Sequence, residues 1–144
     1  MRKSRRMLIG LMGSILLNNA VAEESHALVV HATGFRHAQG QAIAKLFEAG
    51  DVVTGPGRLQ VATAIEDGQA NLAFANLPAG RYAIVVFHDE NSNGQIDHNV
   101  LRLPSEPLGF SNGFSLGLLS GLPAFEKLAF QHGVDTRILE IAVK

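Results

Sequence analysis

Residues 89–97 read Asp-Glu-Asn-Ser-Asn-Gly-Gln-Ile-Asp, the pattern D-x-N-x-N-G-x-x-D. This spacing matches the opening stretch of an EF-hand-type calcium loop. In such a loop alternate side-chain oxygens and one backbone carbonyl converge on the ion, and a central glycine permits the sharp turn. Mapped onto this chain, the ligands are the side chains of Asp89, Asn91, Asn93 and Asp97 and the carbonyl of Gln95, with Ile96 as an apolar anchor beside the loop. All are hard oxygen donors, which suit Ca²⁺ rather than a transition metal. Val100 stands where the bidentate carboxylate of a true EF-hand belongs, and no flanking helices are evident. With two carboxylates and two neutral amides, the expected affinity is weak, in the range of extracellular modules. Glu106 is available as an extra ligand if the chain swings back. Asp, Asn and Gly also build tight turns without any metal, through side-chain bonds to nearby backbone N–H groups. Both readings stand at this point.

Other polar residues offer less. His88, Asp89 and Glu106 can be combined as acid/base groups of an enzyme around the segment Gly109-Phe110-Ser111-Asn112. His88 with His31, His37 and His98 is a second combination, as a metal cluster. No pair of histidines has the H-x-x-x-H spacing of a helical metal site, and scattered histidines are the plainer expectation. Ser111 lacks the G-x-S-x-G context of a nucleophile elbow. The chain has no cysteine, so thiol catalysis, zinc–thiolate sites and iron–sulfur clusters are excluded. The expectation is a binding module rather than an enzyme, with Glu106, Gly109, Phe110, Ser111 and Asn112 as a recognition loop.

The elements that must position these residues are strands. Ala27–Ala32, Gln41–Glu48, Leu59–Ile65, Gln69–Ala75, Gly80–Asp89, Glu126–Gln131 and Arg137–Val143 are short apolar or alternating runs, bounded by Gly, Pro and Asp. Helix competes for Gln41–Glu48, but glycines ten residues apart frame a strand. Asp67-Gly68 is a hairpin turn signal. In Leu77-Pro78-Ala79-Gly80, Pro78 fixes φ and Gly80 offers a position that tolerates positive φ. Gly80–Asp89 is apolar on both faces, Tyr82, Ile84, Val86 and His88 on one and Ala83, Val85, Phe87 and Asp89 on the other. It therefore reads as a central strand between two packed layers. From Asn91 to Pro123, Gly, Asn, Ser and Pro dominate and no long strand is visible, so this reads as one long loop excursion. The apolar stretch 114–125 is expected to fold onto the end of the sandwich, with docking of an envelope partner as the alternative. The expected fold is an all-β antiparallel sandwich of about seven strands.

Residues 1–22 carry the marks of export. Four positive charges lie in the first six residues, an eleven-residue apolar run follows from Met7 to Leu17, and small residues stand at Ala20 and Ala22. This order is that of a secretory signal peptide, here with cleavage after Ala22. The run is too short to span a bilayer, which needs about 20 residues. No cysteine is present for lipid attachment. Residues 23–144 are then one domain in the periplasm or outside the cell. That domain holds eight basic and thirteen acidic residues, a net of −5 with His neutral. Such a balance argues against nucleic acid and against electrostatic docking on anionic lipid. The partner expected is a protein or glycan of the envelope.

Several separated motifs resemble one bacterial family. They are Leu77-Pro78-x-Gly80-x-Tyr82-Ala83, His88-Asp89-Glu90-Asn91-x-Asn93-Gly94-x-x-Asp97, Pro104-x-Glu106-x-x-Gly109-Phe110-Ser111-Asn112, and Phe125 to Phe130. Their order is similar to that of the domain-of-unknown-function family 2141. Leu108 departs from the aromatic usual before Gly-Phe-Ser-Asn, and 114–122 is more apolar than the pattern. The resemblance implies a small exported protein of Gram-negative bacteria with a prealbumin-like or Ig-like sandwich. It implies no known activity.

Overall fold

The computed structural model describes residues 25–133, 135 and 137–144; the expected signal segment 1–22 lies outside the described residues. In chain order the described elements are β1 (Ser25–Thr33), β2 (Gln41–Phe47), β3 (Leu59–Thr63), β4 (Gln69–Pro78), β5 (Gly80–Asp89), β6 (Leu108–Phe110), a single helical turn α1 (Phe125–Leu128), β7 (Phe130–His132) and β8 (Arg137–Ala142). They form two sheets. One has three strands in the order β4-β1-β8. The other has the order β3-β2-β5-β6, with β7 also pairing to β5. The expected all-β sandwich is present, with eight strands among the described residues.

Alternation explains the layers. The core-facing residues of β5, Tyr82, Ile84 and Val86, meet Leu28, Val30, Leu72 and Phe74 of the opposing sheet in the main apolar cluster. The other face of β5, Ala83 and Val85, is covered by Phe47, Phe110, Phe125 and Leu128. The central position read from the two apolar faces of β5 therefore holds. β5 pairs with β2 along one edge and with β6 and β7 along the other.

The differences from the sequence reading have physical causes. β1 and β8 pair in parallel. Parallel neighbours require a long connection, and here the connection is nearly the whole domain. Phe125 and Leu128 are both buried while Glu126 and Lys127 are exposed, a three-residue spacing that makes one helical turn where a strand was expected. β7 starts only after it. At Asp67-Gly68 both φ angles are positive, 49° and 74°, as a two-residue primed hairpin turn demands. Gly80, by contrast, is not at positive φ. A Cβ there would lie 3.3 Å from the Tyr82 ring, and the Tyr82 hydroxyl donates to the Pro78 carbonyl at 3.0 Å. The glycine makes room for the ring rather than supplying a turn.

The excursion after β5 returns across the outer face of the five-stranded sheet. Ile96, Leu108 and Phe114 pack there, against the cluster around Phe47 and Phe125. Within it β6 is only three residues long, and Ser111 extends its pairing. The Ser111 N–H donates to the Ile84 carbonyl at 3.0 Å. Its hydroxyl accepts the Ile84 N–H at 2.9 Å and donates to the Leu128 carbonyl at 2.6 Å.

Candidate functional site

Asp89 is the last residue of β5 and is fully buried. Its Oδ1 accepts the Asn93 N–H at 3.0 Å. Its Oδ2 accepts the Gly94 N–H at 2.9 Å and the Gln41 side-chain amide at 2.8 Å. Two smaller turns repeat the pattern. Asn91 Oδ1 accepts the Asn93 N–H at 3.1 Å, and Asn93 Oδ1 accepts the Gln95 N–H at 2.8 Å. Ser92 (φ 58°) and Gly94 (φ 77°) bend the chain back on itself. Asp97 then meets the start of the bend. Its Oδ2 takes the Asn91 amide at 2.6 Å and its Oδ1 the Asn93 amide at 2.9 Å.

Glu106 closes the bend from below. Oε1 accepts the Glu90 N–H at 3.0 Å and Oε2 the Asp97 N–H at 3.1 Å. Its carboxyl is buried, and that desolvation pushes its pKa above the ordinary carboxylate value. The two accepted N–H bonds oppose the shift, and the charges of Asp97 and Asp89 add to it. Among the described residues, no Lys or Arg forms an ion pair with Asp89, Asp97 or Glu106. Three carboxylates thus share one bend without a basic counter-charge. Such an arrangement can accept a hard cation, or stand as a hydrogen-bonded strut.

The other sequence candidates disperse. His88 lies on the core face of β5, opposite to Asp89. A groove of about 670 Å³ is lined by Glu106 with Leu103, Leu108, Phe110, Phe114 and Ile141, and neither His88 nor Asp89 contributes to that lining. The acid/base trio is therefore not gathered around this groove. Of the four histidines considered together, His37 packs against His88 with ring centroids 4.6 Å apart and planes tilted by 52°. His31 bonds Asn71 at 2.8 Å on β1, and His98 bridges to Pro104. Gly109, Phe110 and Ser111 are buried. A Cβ on Gly109 would meet the Ile141 side chain at 2.6 Å. Only Asn112 of that segment is exposed, and its amide donates to the Lys127 carbonyl at 3.1 Å. These four residues hold β6 and α1 together.

The exposed surface of the excursion lies further out. Val100, Leu118 and Leu119 are fully exposed, and Leu101, Leu103, Leu116 and Leu122 are largely so. Residues 114–125 thus divide, the two phenylalanines at the ends packing inward and the leucines between them facing solvent. Lys127 Nζ ties this loop by donating to the carbonyls of Ser120 and Leu122 at 2.8 and 2.9 Å. No helix of the described residues is long and apolar enough to cross a membrane.

Comparison with known proteins adds the following. Residues 30–139 match a family described as an uncharacterized protein conserved in bacteria, DUF2141. The chain belongs to this family. No curated protein matches. Among solved structures, a pilus-presented adhesin is similar over 85% of this chain and 27% of its own length, with 13% identity and a TM-score of 0.32. The chain thus spans about a quarter of that structure.

Proposed function

We propose that this member of the uncharacterised family is an exported, non-enzymatic binding module. A weakly held Ca²⁺ at the 89–97 bend orders the base of its excursion, and the excursion's apolar tips meet a protein partner in the envelope. The ligands are Asp89, Asn91, Asn93, the Gln95 carbonyl and Asp97, with Glu106 supplying the carboxylate that position 100 lacks. The observation that carries the reading is the convergence of Asp89, Asp97 and Glu106 on one bend with no Lys or Arg ion-pair partner among the described residues. A divalent cation offsets that repulsion, and the two asparagine amides now turned to Asp97 present their oxygens instead when the ion enters. The ion acts structurally, tying the end of β5 to the return of the chain at Glu106.

Calorimetric titration of chelator-stripped protein with CaCl₂ tests this directly. At ten times Kd a ligand specific for the folded state adds about 1.4 kcal/mol, a Tm rise of roughly 4–6 °C for a domain of this size. Asp97→Ala is expected to remove the increment. An unchanged Tm in wild type at high-millimolar Ca²⁺ rules the calcium reading out. The raised Glu106 pKa gives the pH sign. The folded chain takes up this proton at a higher pH than the unfolded chain does. Metal-free protein therefore gains stability from this group as the pH falls through the folded pKa towards the ordinary carboxylate value. Calcium competes with that proton, so its increment shrinks over the same interval.

The apolar tips carry their own test. Leu118→Asp/Leu119→Asp alters two fully exposed side chains, so stability is expected to stay within about 0.5 kcal/mol of wild type. Binding of an apolar dye, read by fluorescence, is expected to drop. An unchanged dye signal would show that these leucines form no shared apolar surface, and concentration-dependent self-association lost in the variant would identify the partner as a second copy.

A further inference from the structure

His88 stands on the opposite face of β5 from the carboxylate bend, and its surroundings come from the connection between β1 and β2. Phe35 packs edge-on against its ring at 5.4 Å, and His37 lies over it. Its Nε2 is 2.7 Å from the Gln39 carbonyl oxygen. A carbonyl can only accept, so this contact assigns the proton to Nε2 and leaves Nδ1 of the neutral ring as a lone pair. That Nδ1 is buried and has no hydrogen-bond partner. An unsatisfied buried acceptor costs about 1–3 kcal/mol. Two further metal-donor atoms lie near it. Glu90 Oε1 is 4.0 Å from His88 Nδ1, and His37 Nε2 is 3.2 Å from the same oxygen. One ligand atom from each of the three residues lies within 4.8 Å of the others.

We propose that His37 Nε2, His88 Nδ1 and Glu90 Oε1 form a binding site for a zinc-class transition-metal dication, distinct from the calcium bend and independent of it. Two imidazoles and one carboxylate are the donor set that suits zinc and its neighbours rather than calcium. The Nε2–H bond to a backbone carbonyl is the outer-shell contact that orients a ligating histidine and fixes its tautomer. A tetrahedral ion with bonds near 2.1 Å places ligand atoms about 3.4 Å apart. The His37–Glu90 pair already has that separation, and small movements of these two half-exposed side chains bring the third into range. The buried His88 is the fixed member. The fourth position opens toward solvent between His37 and Glu90, where water or a partner's side chain completes the shell.

The test is a zinc titration of tag-free, chelator-stripped protein, with Co²⁺ as a spectroscopic substitute. One ion per chain is expected, with the visible absorption of tetrahedral Co²⁺ and a shifted ¹⁵N resonance of His88 Nδ1. His37→Ala and Glu90→Gln change half-exposed side chains, so both variants are expected to fold as wild type. Each is expected to weaken zinc binding at least roughly ten-fold. Asp97→Ala is expected to leave it unchanged, which separates this site from the calcium bend. Equal zinc affinity in wild type and His37→Ala, or an unmoved Nδ1 resonance at saturating zinc, overturns the proposal and leaves a packed histidine pair with a surface ion pair.

Discussion

Asp89→Ala is expected to destabilise the domain by about 3 kcal/mol in the presence of chelator, before any metal is considered. The carboxylate accepts three hydrogen bonds, from the N–H groups of Asn93 and Gly94 and from the Gln41 amide. Hydrogen bonds to a charged acceptor contribute about 1.5–3 kcal/mol each, and truncation leaves their donors without a partner. Two effects reduce the sum. Asn93 and Gly94 lie on an exposed bend where water can replace part of what is lost. Removing one of three unpaired carboxylates also relieves repulsion on Asp97 and Glu106. Against a total stability of about 5–15 kcal/mol, the remainder is still large. Urea denaturation in chelator measures it, and a loss under about 1 kcal/mol would mean that Asp89 does not hold the bend. Asp89→Asn separates the roles. It keeps one acceptor oxygen and so loses less stability, but the missing charge removes most of the calcium increment.

The bend was legible in the sequence because its parts are local. Asp89, Asn91 and Asn93 accept backbone N–H groups two to five residues away, and Asp97 accepts the side-chain amides of Asn91 and Asn93, so short-range spacing places all four. Ile96 is placed by the same spacing, and it packs under the excursion. Most strands were legible through alternation, and Asp67-Gly68 through its turn chemistry. What escaped depends on pairing between distant segments. Glu106 is available in the sequence as an extra ligand, but its place is not legible there: it sits under the bend because β6 runs beside β5, with Val86 opposite Gly109. No spacing rule links residue 106 to residue 90 or 97. Three-residue strands such as β6 and β7 are too short to display a period, and Ser111 does part of the pairing with a side chain. His37 meets His88 only because the β1–β2 connection folds over the end of the sandwich. Nothing in their sequence separation signals it.

That connection holds two glycines at positive φ against neighbouring backbone, Gly34 beside Val143 and Gly40 beside Asp89, and the second touches the end of β5. Gly40 has φ of +80°, and a Cβ there would lie 2.1 Å from the Asp89 carbonyl oxygen and 2.7 Å from Glu90 Cα. Both are backbone atoms, so no rotamer change relieves the contact and the chain itself must move. Gly50 provides the control. It has a similar φ of +91°, with nothing within 4 Å of a built Cβ. Gly50→Ala therefore measures the conformational cost alone, about 1–2 kcal/mol. Gly40→Ala adds displacement of the backbone and is expected to cost more than about 3 kcal/mol, near the upper end of single substitutions. The two glycines also differ in what they position. Gly40 lies between Gln39, whose carbonyl orients His88, and Gln41, whose amide bonds Asp89. Displacing it loosens both sides of the end of β5 at once, so zinc binding is expected to fall with stability in Gly40→Ala and to persist in Gly50→Ala. Denaturation and zinc titration of the pair decide the point. If Gly40→Ala costs no more than Gly50→Ala, the close approach does not constrain the connection, and the seating of His37 over His88 must come from the Phe35 packing instead.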